Sequence, residues 1–183
     1  ARFLALASSS AYGRGLKIAS TQTALVRLGL TTARDLLLQV ALERSRSGLK
    51  TFRTEVEASF RRSLVAGFAA REAARMLGVQ MEDAYLCGLL HDIGEARIYR
   101  VLSEIEGTHD AAEVDRLVKR HHASAGAQVA RTWGLPEAVV AVCERHHDPG
   151  SADRPEIRVV MLADIVTVAL EKGGKPVGPE FLR

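Results

Sequence analysis

Apolar residues recur every three or four positions along most of the chain, whereas the apolar–polar alternation typical of strands is almost absent. The longest pattern runs from Val56 to Gly78, with apolar side chains four residues apart over its first half. It predicts one long amphipathic helix that buries the following stripe: Val56, Phe60, Leu64, Phe68, Ala69, Ala73, Met76 and Leu77. The chain as a whole is therefore predicted to be all-α, folded as a compact multi-helix bundle.

Helices are also predicted on both sides of this long pattern. Before it, one short helix is predicted over residues 20–29 and a second one from an N-cap at Thr31 or Thr32. After it, residues 81–91 are apolar nearly all round, which predicts a buried helix that ends at Gly94. Further helices are predicted over 96–105, 111–120, 122–133, 137–145 and 157–170. The predicted core consists of apolar residues at helical spacing: Phe60, Leu64, Phe68, Leu86, Leu89, Leu90, Val139, Val142, Val160, Leu162 and Val166.

Composition is that of an ordinary globular protein. The 183 residues are 47% hydrophobic and 26% charged, which is enough for a sizeable core and excludes collagen-like and disordered chains. We expect a single domain over residues 1–183. We expect no signal peptide, and the apolar run at 159–170 is interrupted by Asp164 and too short to span a bilayer. Cys87 and Cys143 lie in apolar stretches, which indicates buried thiols in a reducing compartment, so a cytoplasmic location is expected.

Basic residues are concentrated in the first part of the chain. Residues 1–75 contain 13 Lys/Arg and 5 Asp/Glu, a net charge of +8, whereas residues 76–183 contain 12 and 17, a net charge of −5. Such asymmetry occurs in nucleic-acid-binding proteins, and the two short helices around Gly29 superficially resemble a helix-turn-helix. However, helix pairs of this kind are common, and no block of like charge is longer than Arg61-Arg62. We therefore expect a solvated basic surface and no nucleic-acid partner.

Six candidate metal ligands lie in the second half of the chain: His91, Asp92, His122, His146, His147 and Asp164. Neutral imidazole and carboxylate are common ligands of divalent transition metals such as zinc, iron and manganese. Each of the six begins, ends or interrupts a predicted apolar helix, so all of them could face one pocket between helices. An ionised Asp164 inside an apolar helix is costly to bury without a cation or hydrogen-bond donors. The other two histidines, His109 and His121, are interpreted as ordinary surface or capping residues.

The segment Gly88–Gly94, which reads GLLHDIG, resembles the His-Asp signature of the HD superfamily and in particular its HDOD branch. Supporting segments run along nearly the whole chain: residues 9–13, 18–29, 122–136, 145–147 and 162–164. The resemblance implies an all-helical regulatory domain of bacterial signal transduction that acts through protein interaction and not through catalysis. The partners it implies are signalling proteins related to phosphorelays or cyclic dinucleotides. Because residue 1 falls near the segment that ends in Tyr12-Gly13, the family's first helices are expected to be missing here.

One position departs from the enzymatic members of that superfamily. Related phosphodiesterases carry an upstream His in the long helix, and Arg62 stands at that place, while the six candidate ligands match the later positions. Arginine is permanently charged and has no lone pair for a metal. We therefore expect a degenerate site that holds at most one divalent ion (Fe, Mn or Zn) and performs no hydrolysis. The alternative is a metal-dependent phosphohydrolase of cyclic dinucleotides or nucleotides, which the six retained positions favour.

Two alternatives are open for the Arg62 side chain. In the first, its guanidinium points into the cluster and pairs with Asp92 or Asp164, because a buried carboxylate without a cation is unfavourable. In the second, Arg62 faces solvent and the cluster holds a metal ion or water. The position of Arg62 in the long helix, two residues after Phe60 and two before Leu64, is compatible with both.

Overall fold

The computed structural model describes residues 2–9, 51–105 and 110–173, together with Thr23, Leu28, Gly29, Thr32, Asp35 and Leu36. Its contacts group into two units, Ala1–Gly48 and Leu49–Arg183. In the first unit, helix α1 spans Arg2–Ala7, and the side chains of Ala7 and Leu36 are fully buried. Gly29 has a φ of 78°, a left-handed conformation in which helices commonly end. Most of the predicted helix 20–29, the candidate cap Thr31 and most of residues 9–13 lie outside the described residues, and the single domain over 1–183 stays a prediction.

The described residues of the second unit form six α-helices: α2 (Arg53–Met76), α3 (Ala84–Leu90), α4 (Ile93–Glu104), α5 (Ala111–Thr132), α6 (Glu137–Arg145) and α7 (Pro155–Glu171). A short 3₁₀ turn, Pro149–Ser151, precedes α7. α2 packs against α3 and α7, α4 packs on α5, and α5 packs on α6. No strand occurs among the described residues, so the predicted all-α class is confirmed. In the same part of the chain, none of the helices has the length and apolar character needed to cross a membrane.

Small side chains bring α2 and α3 into close contact. Every residue of α3 is buried, and the buried residues of α2 are mostly small ones: Val56, Ser59, Phe60, Ser63, Ala66, Gly67, Ala70 and Ala74. A Cβ placed on Gly88 of α3 would lie 2.4 Å from the Ala66 carbonyl oxygen and 2.7 Å from the Ala70 Cβ. The two backbones therefore touch at a point where only glycine fits.

The buried face of α2 differs from the predicted stripe. Leu64 and Phe68 are only half-buried, Met76 is 79% exposed and Leu77 is also exposed. The periodicity of large apolar residues was misleading because the helix approaches its neighbour through alanine, glycine and serine. On α2, residue size is a poor guide to burial, since the tightest contact demands the smallest side chains.

Most of the predicted core is confirmed, with two corrections on α7. The confirmed members are Phe60, Leu86, Leu89, Leu90, Val139, Val142 and Val160, all of which are buried. Leu162 and Val166 were expected in the core, but they are 40% and 47% exposed. The helix is apolar nearly all round and packs through the opposite face, which carries Val160, Ala163 and Thr167. Hydrophobicity alone could not choose between the two faces.

Two predicted helix boundaries are wrong. The ranges 111–120 and 122–133 form the single helix α5, because neither glycine nor proline lies between Ala111 and Gly126 to interrupt it. His122 therefore lies in the middle of a helix and does not begin one. Gly94 does not end the buried helix, since α3 stops at Leu90 and Gly94 lies in the first turn of α4. Its role is a close approach to α5, described below.

Replacing Gly88 with alanine is expected to lower the free energy of unfolding by about 1–3 kcal/mol, because the added methyl group cannot fit against the Ala66 carbonyl. Gly67→Ala is the matched control in the same interface, since its Cβ would meet mainly the Tyr85 ring edge at 3.0 Å, and a ring can turn away. Urea unfolding of both variants measures the difference. Equal stability of Gly88→Ala and the wild type would contradict the described contact.

Candidate metal centre

The Asp92 carboxylate lies where three helices present histidines. Its Oδ1 atom is 3.2 Å from His146 Nε2 and 3.5 Å from His122 Nε2, and its Oδ2 atom is 3.2 Å from His91 Nε2. His91 and Asp92 follow the end of α3, His122 lies in the middle of α5, and His146 follows the last residue of α6. Residues separated by more than fifty positions in the sequence therefore surround one carboxylate.

The remaining two candidates, His147 and Asp164, complete the surroundings. His147 is exposed, and its Nε2 atom is 2.9 Å from His122 Nε2. One potential ligand atom from each of Asp92, His122, His146 and His147 lies within 4.8 Å of the other three, and we call these four residues the candidate metal centre. Asp164 of α7 adjoins it, with its Oδ1 atom 3.7 Å from His91 Nε2. The structure thus brings all six predicted residues together, while their ligation of a metal stays a prediction.

Backbone hydrogen bonds orient three of the imidazoles. In each of these rings Nδ1 faces the carbonyl oxygen of a residue three or four positions earlier: His91 to Gly88 at 2.8 Å, His122 to Val118 at 3.0 Å and His146 to Val142 at 2.9 Å. A carbonyl only accepts, so Nδ1–H donates in each ring and Nε2 is directed toward the cluster. This is the support that metal-binding histidines usually receive from their surroundings.

Three buried atoms of this cluster lack a hydrogen-bond partner. They are His91 Nε2, His146 Nε2 and Asp92 Oδ1. A buried polar atom without a partner costs roughly 1–3 kcal/mol, so three together in one place are unusual. Imidazole nitrogen and carboxylate oxygen are the donors that zinc, iron and manganese accept. The residues present therefore fit a divalent transition-metal ion, which would satisfy these atoms at once.

The charges in the cluster favour the metal-binding forms of Asp92 and His147. Burial works to raise the pKa of Asp92, but the neighbouring His91 and His146 hold that pKa well below its usual value. Partial burial and the adjacent imidazoles of His146 and His122 lower the pKa of His147 to about 4. At neutral pH the centre therefore offers an ionised carboxylate and a neutral exposed imidazole.

The neighbouring carboxylates favour the protonated form of His91. Burial works to lower its pKa, but the nearby carboxylates of Asp92 and Asp164 outweigh burial and raise that pKa well above its usual value. The imidazolium then lies between two carboxylates and balances part of their charge. An ion that used His91 Nε2 as a ligand would have to displace this proton.

Arg62 occupies neither of the two positions considered from the sequence. Its Nη2 atom donates to Glu95 Oε2 at 2.7 Å, so its partner is Glu95, and the first alternative, a pairing with Asp92 or Asp164, is wrong. The exposed fractions of the Arg62 and Glu95 side chains are 30% and 16%, so the pair is half-buried and Arg62 does not face open solvent. Asp92 nevertheless acts on Arg62 through its charge, which places the guanidinium beside the cluster.

Glu95 is the residue that sequence reasoning missed. It lies in the first turn of α4, three residues after Asp92, which puts both carboxylates on neighbouring positions of one helical turn. Burial and the nearby Asp92 charge raise the pKa of Glu95, and Arg62 and a hydrogen bond from Ser59 oppose this rise. The spacing to Asp92 was the available signal. Of the histidines set aside, His121 is exposed, and His109 lies outside the described residues.

Removing the guanidinium in Arg62→Met is expected to lower the free energy of unfolding by about 1–3 kcal/mol at pH 7, because Glu95 stays buried without its partner. The loss should be smaller at pH 5. A raised folded-state pKa means that the protonated form of Glu95 favours the folded state, and this advantage disappears as pH rises through that pKa. Chemical unfolding at both pH values, with Arg62→Met/Glu95→Gln as the control that removes the orphaned charge, tests this. A deficit that the double variant does not reduce would contradict the pairing.

Comparison with known proteins identifies related chains. A crystal structure of an HDOD domain protein from Geobacter sulfurreducens matches with a TM-score of 0.68 and 25% sequence identity, covering 96% of this chain and 64% of that one. An uncharacterized protein of Treponema pallidum is 27% identical over 188 residues, which cover 94% of this chain and 36% of the relative. Ribonuclease Y of Aquifex aeolicus is 31% identical over 105 residues, which cover 57% of this chain and 15% of that enzyme.

The family assignment follows from a direct match. The chain spans little more than a third of the Treponema relative and less than a fifth of ribonuclease Y, so it corresponds to one part of each. The family model for the HDOD domain matches residues 1–149, which include His91, Asp92, His122, His146 and His147. The resemblance inferred from the GLLHDIG motif is thereby confirmed. With its helical fold and its His/Asp cluster, this chain belongs to the HDOD domain family.

Proposed function

We propose that this chain is a non-enzymatic regulatory domain that binds one divalent transition-metal ion and acts through contacts with other proteins. The observation that carries the proposal is the Arg62–Glu95 ion pair beside the candidate metal centre. Hydrolysis at such a centre requires a metal-activated water. At the position where enzymatic relatives in the superfamily carry a ligand, this chain has a cation already engaged by a carboxylate.

The metal part of the proposal is supported by the unpartnered atoms. Asp92 Oδ1 and the Nε2 atoms of His91 and His146 are buried and face one another without hydrogen bonds. His122 and His147 add two more nitrogens, so the centre has enough donors for an ion even without an upstream histidine. A bound ion would supply Lewis acidity. The chain's own residues hold the ion and, through the backbone bonds to Nδ1, keep the rings in the tautomer that binds it.

The regulatory part of the proposal extends to partners and location. The partners are signalling proteins of the kind the HDOD family works with, related to phosphorelays or cyclic dinucleotides. The compartment is the bacterial cytoplasm, in keeping with Cys87 and Cys143, which are buried and form no disulfide. Binding a partner requires no catalysis, so the ion has a structural or sensing role in this proposal. It would fix the ends of α3 and α6, because Asp92 follows the first of these helices and His146 follows the second.

A second function, metal-dependent phosphohydrolase, has an observation of its own in favour. The chain is similar over 105 residues to ribonuclease Y, an enzyme by name, and the same buried donors would serve an enzyme. The two functions differ in one measurable respect, because only the second one breaks a phosphodiester bond in a metal-dependent manner.

We expect about one divalent ion per chain in protein purified without chelator, and no hydrolysis of cyclic dinucleotides, nucleoside phosphates or single-stranded RNA with Mn²⁺, Fe²⁺ or Zn²⁺. Asp92→Asn should weaken metal binding more than about tenfold, because it removes the central charged ligand. His121→Gln, which changes an exposed histidine one residue before His122, should bind metal like the wild type. Elemental analysis and product chromatography measure both. Hydrolysis that disappears in Asp92→Ala would establish the phosphohydrolase, and a metal-free wild type would refute metal binding.

Arg62→His is expected to raise the affinity for a divalent transition metal by about tenfold or more, because it removes a positive charge next to the centre and adds an imidazole. Arg61→His is the matched control, since Arg61 is exposed on the adjacent position of α2. Competition with a chromophoric chelator gives the affinities of both. If Arg62→His and Arg61→His bind metal equally, position 62 is not part of the centre.

A further inference from the structure

Three small residues form a junction beneath the candidate metal centre. Gly94 of α4 lies against α5 so closely that a Cβ there would be 1.9 Å from the His122 carbonyl oxygen and 2.6 Å from the Gly126 nitrogen. A Cβ on Gly126 of α5 would in turn be 3.3 Å from the Gly94 nitrogen and 3.4 Å from the Cys143 Cβ of α6. α4, α5 and α6 therefore meet at Gly94, Gly126 and Cys143, which we call the small-residue junction.

Cys143 also ties the junction to α3. Its Sγ atom donates to the Leu90 carbonyl oxygen at 3.2 Å, and Leu90 is the last residue of α3. Burial and the nearby Asp92 carboxylate raise the pKa of the Cys143 thiol to about 12, so the sulfur keeps its hydrogen at neutral pH. The carbonyl that immediately precedes His91 is thus held by a residue of α6.

Each member of the junction is close in sequence to a residue of the cluster. Gly94 comes two residues after Asp92, Gly126 one helical turn after His122, and Cys143 three residues before His146. The tightest contact involves the carbonyl of His122 itself. A change in the spacing of these helices therefore moves the ligand atoms directly, without an intervening flexible segment.

From this arrangement we infer that Gly94, Gly126 and Cys143 are positioning residues, which set the distances from Asp92 Oδ1 to the Nε2 atoms of His122 and His146. A Cβ at Gly94 would lie 1.9 Å from the His122 carbonyl oxygen, about 1 Å closer than the 3.0 Å that Cβ atoms in proteins keep from such an atom. Helices α4 and α5 would have to move apart by an amount of that order. Functional constellations tolerate displacements of about 0.5 Å, so the spacing of the ligand atoms would be lost.

Two experiments test this inference, and the first of them rests on the proposed metal binding. The first test measures Co²⁺ affinity and the visible spectrum of bound Co²⁺ for the full chain and three variants. Gly126→Ala should weaken Co²⁺ binding by about threefold and change the spectrum, because its contacts at 3.3 and 3.4 Å require only a small shift of α5. Gly94→Ala should have a larger effect. The control Gly67→Ala crowds Tyr85 at 3.0 Å in the α2–α3 interface, a tighter contact than those of Gly126, and should leave both readouts unchanged.

Loss of stability alone would not produce this pattern. Urea unfolding of the same proteins separates folding from binding, and Gly126→Ala is the informative variant if Gly94→Ala does not fold. Wild-type Co²⁺ affinity and spectrum in Gly126→Ala would overturn the inference. So would an equal loss of affinity in Gly67→Ala, since crowding anywhere in the helices would then suffice.

The second test needs no metal and keeps the two proposals distinguishable. Long-range ¹H–¹⁵N spectra of the metal-free protein report the tautomers of His91, His122 and His146. Gly126→Ala should shift the His122 ring signals, because Gly126 lies one helical turn after His122 in α5, whereas Gly67→Ala should not. If the wild type binds no Co²⁺, metal binding fails while this spectrum still decides the positioning role. Unchanged imidazole signals in both Gly126→Ala and Gly94→Ala would refute it.

Discussion

The buried negative charge of Asp92 is the constraint around which the second unit is organised. A carboxylate in that position is unfavourable unless positive groups or donors surround it. Three helices deliver imidazoles to it, at 3.2 Å from His146 and His91 and 3.5 Å from His122. The pKa of Asp92 falls well below its usual value as a result. The cluster therefore presents a net attraction for cations at the place where the helices converge.

The ion pair between Arg62 and Glu95 changes the electrostatic potential at the cluster, although neither residue belongs to the cluster. Arg62 contributes a permanent positive charge near Asp92, and the Glu95 carboxylate, 2.7 Å from the guanidinium, offsets that charge. Each of the two groups compensates for the burial of the other. The Arg62–Glu95 pair is neutral as a whole and lies at the edge of the site, while a carboxylate lies at its centre. Such a site is suited to holding a cation, which agrees with the metal binding proposed above.

Much of the site could be predicted from the sequence, but less of the packing. His91, Asp92, His122, His146, His147 and Asp164 stood out because polar ligands beside apolar helices are unusual, and the structure brings them together. Glu95 was not singled out, because its one signal was the spacing of three residues from Asp92, and a carboxylate in the first turn of a helix is common on protein surfaces. The buried face of α2 and the exposure of Leu162 and Val166 depend on contacts between helices that are far apart in the sequence. Residue types along one helix do not record such contacts.

The backbone hydrogen bonds of the three imidazoles have a consequence for the speed of ion uptake. Each ring already has its Nδ1 proton on a carbonyl of its own helix, so no ring has to rotate or change tautomer when an ion arrives. The entropy of ordering these side chains is lost when the chain folds and not when the ion binds. The main slow step left for an incoming ion is the loss of its own water molecules. Ions that exchange water quickly would consequently enter faster than slowly exchanging ones, whatever their final affinities.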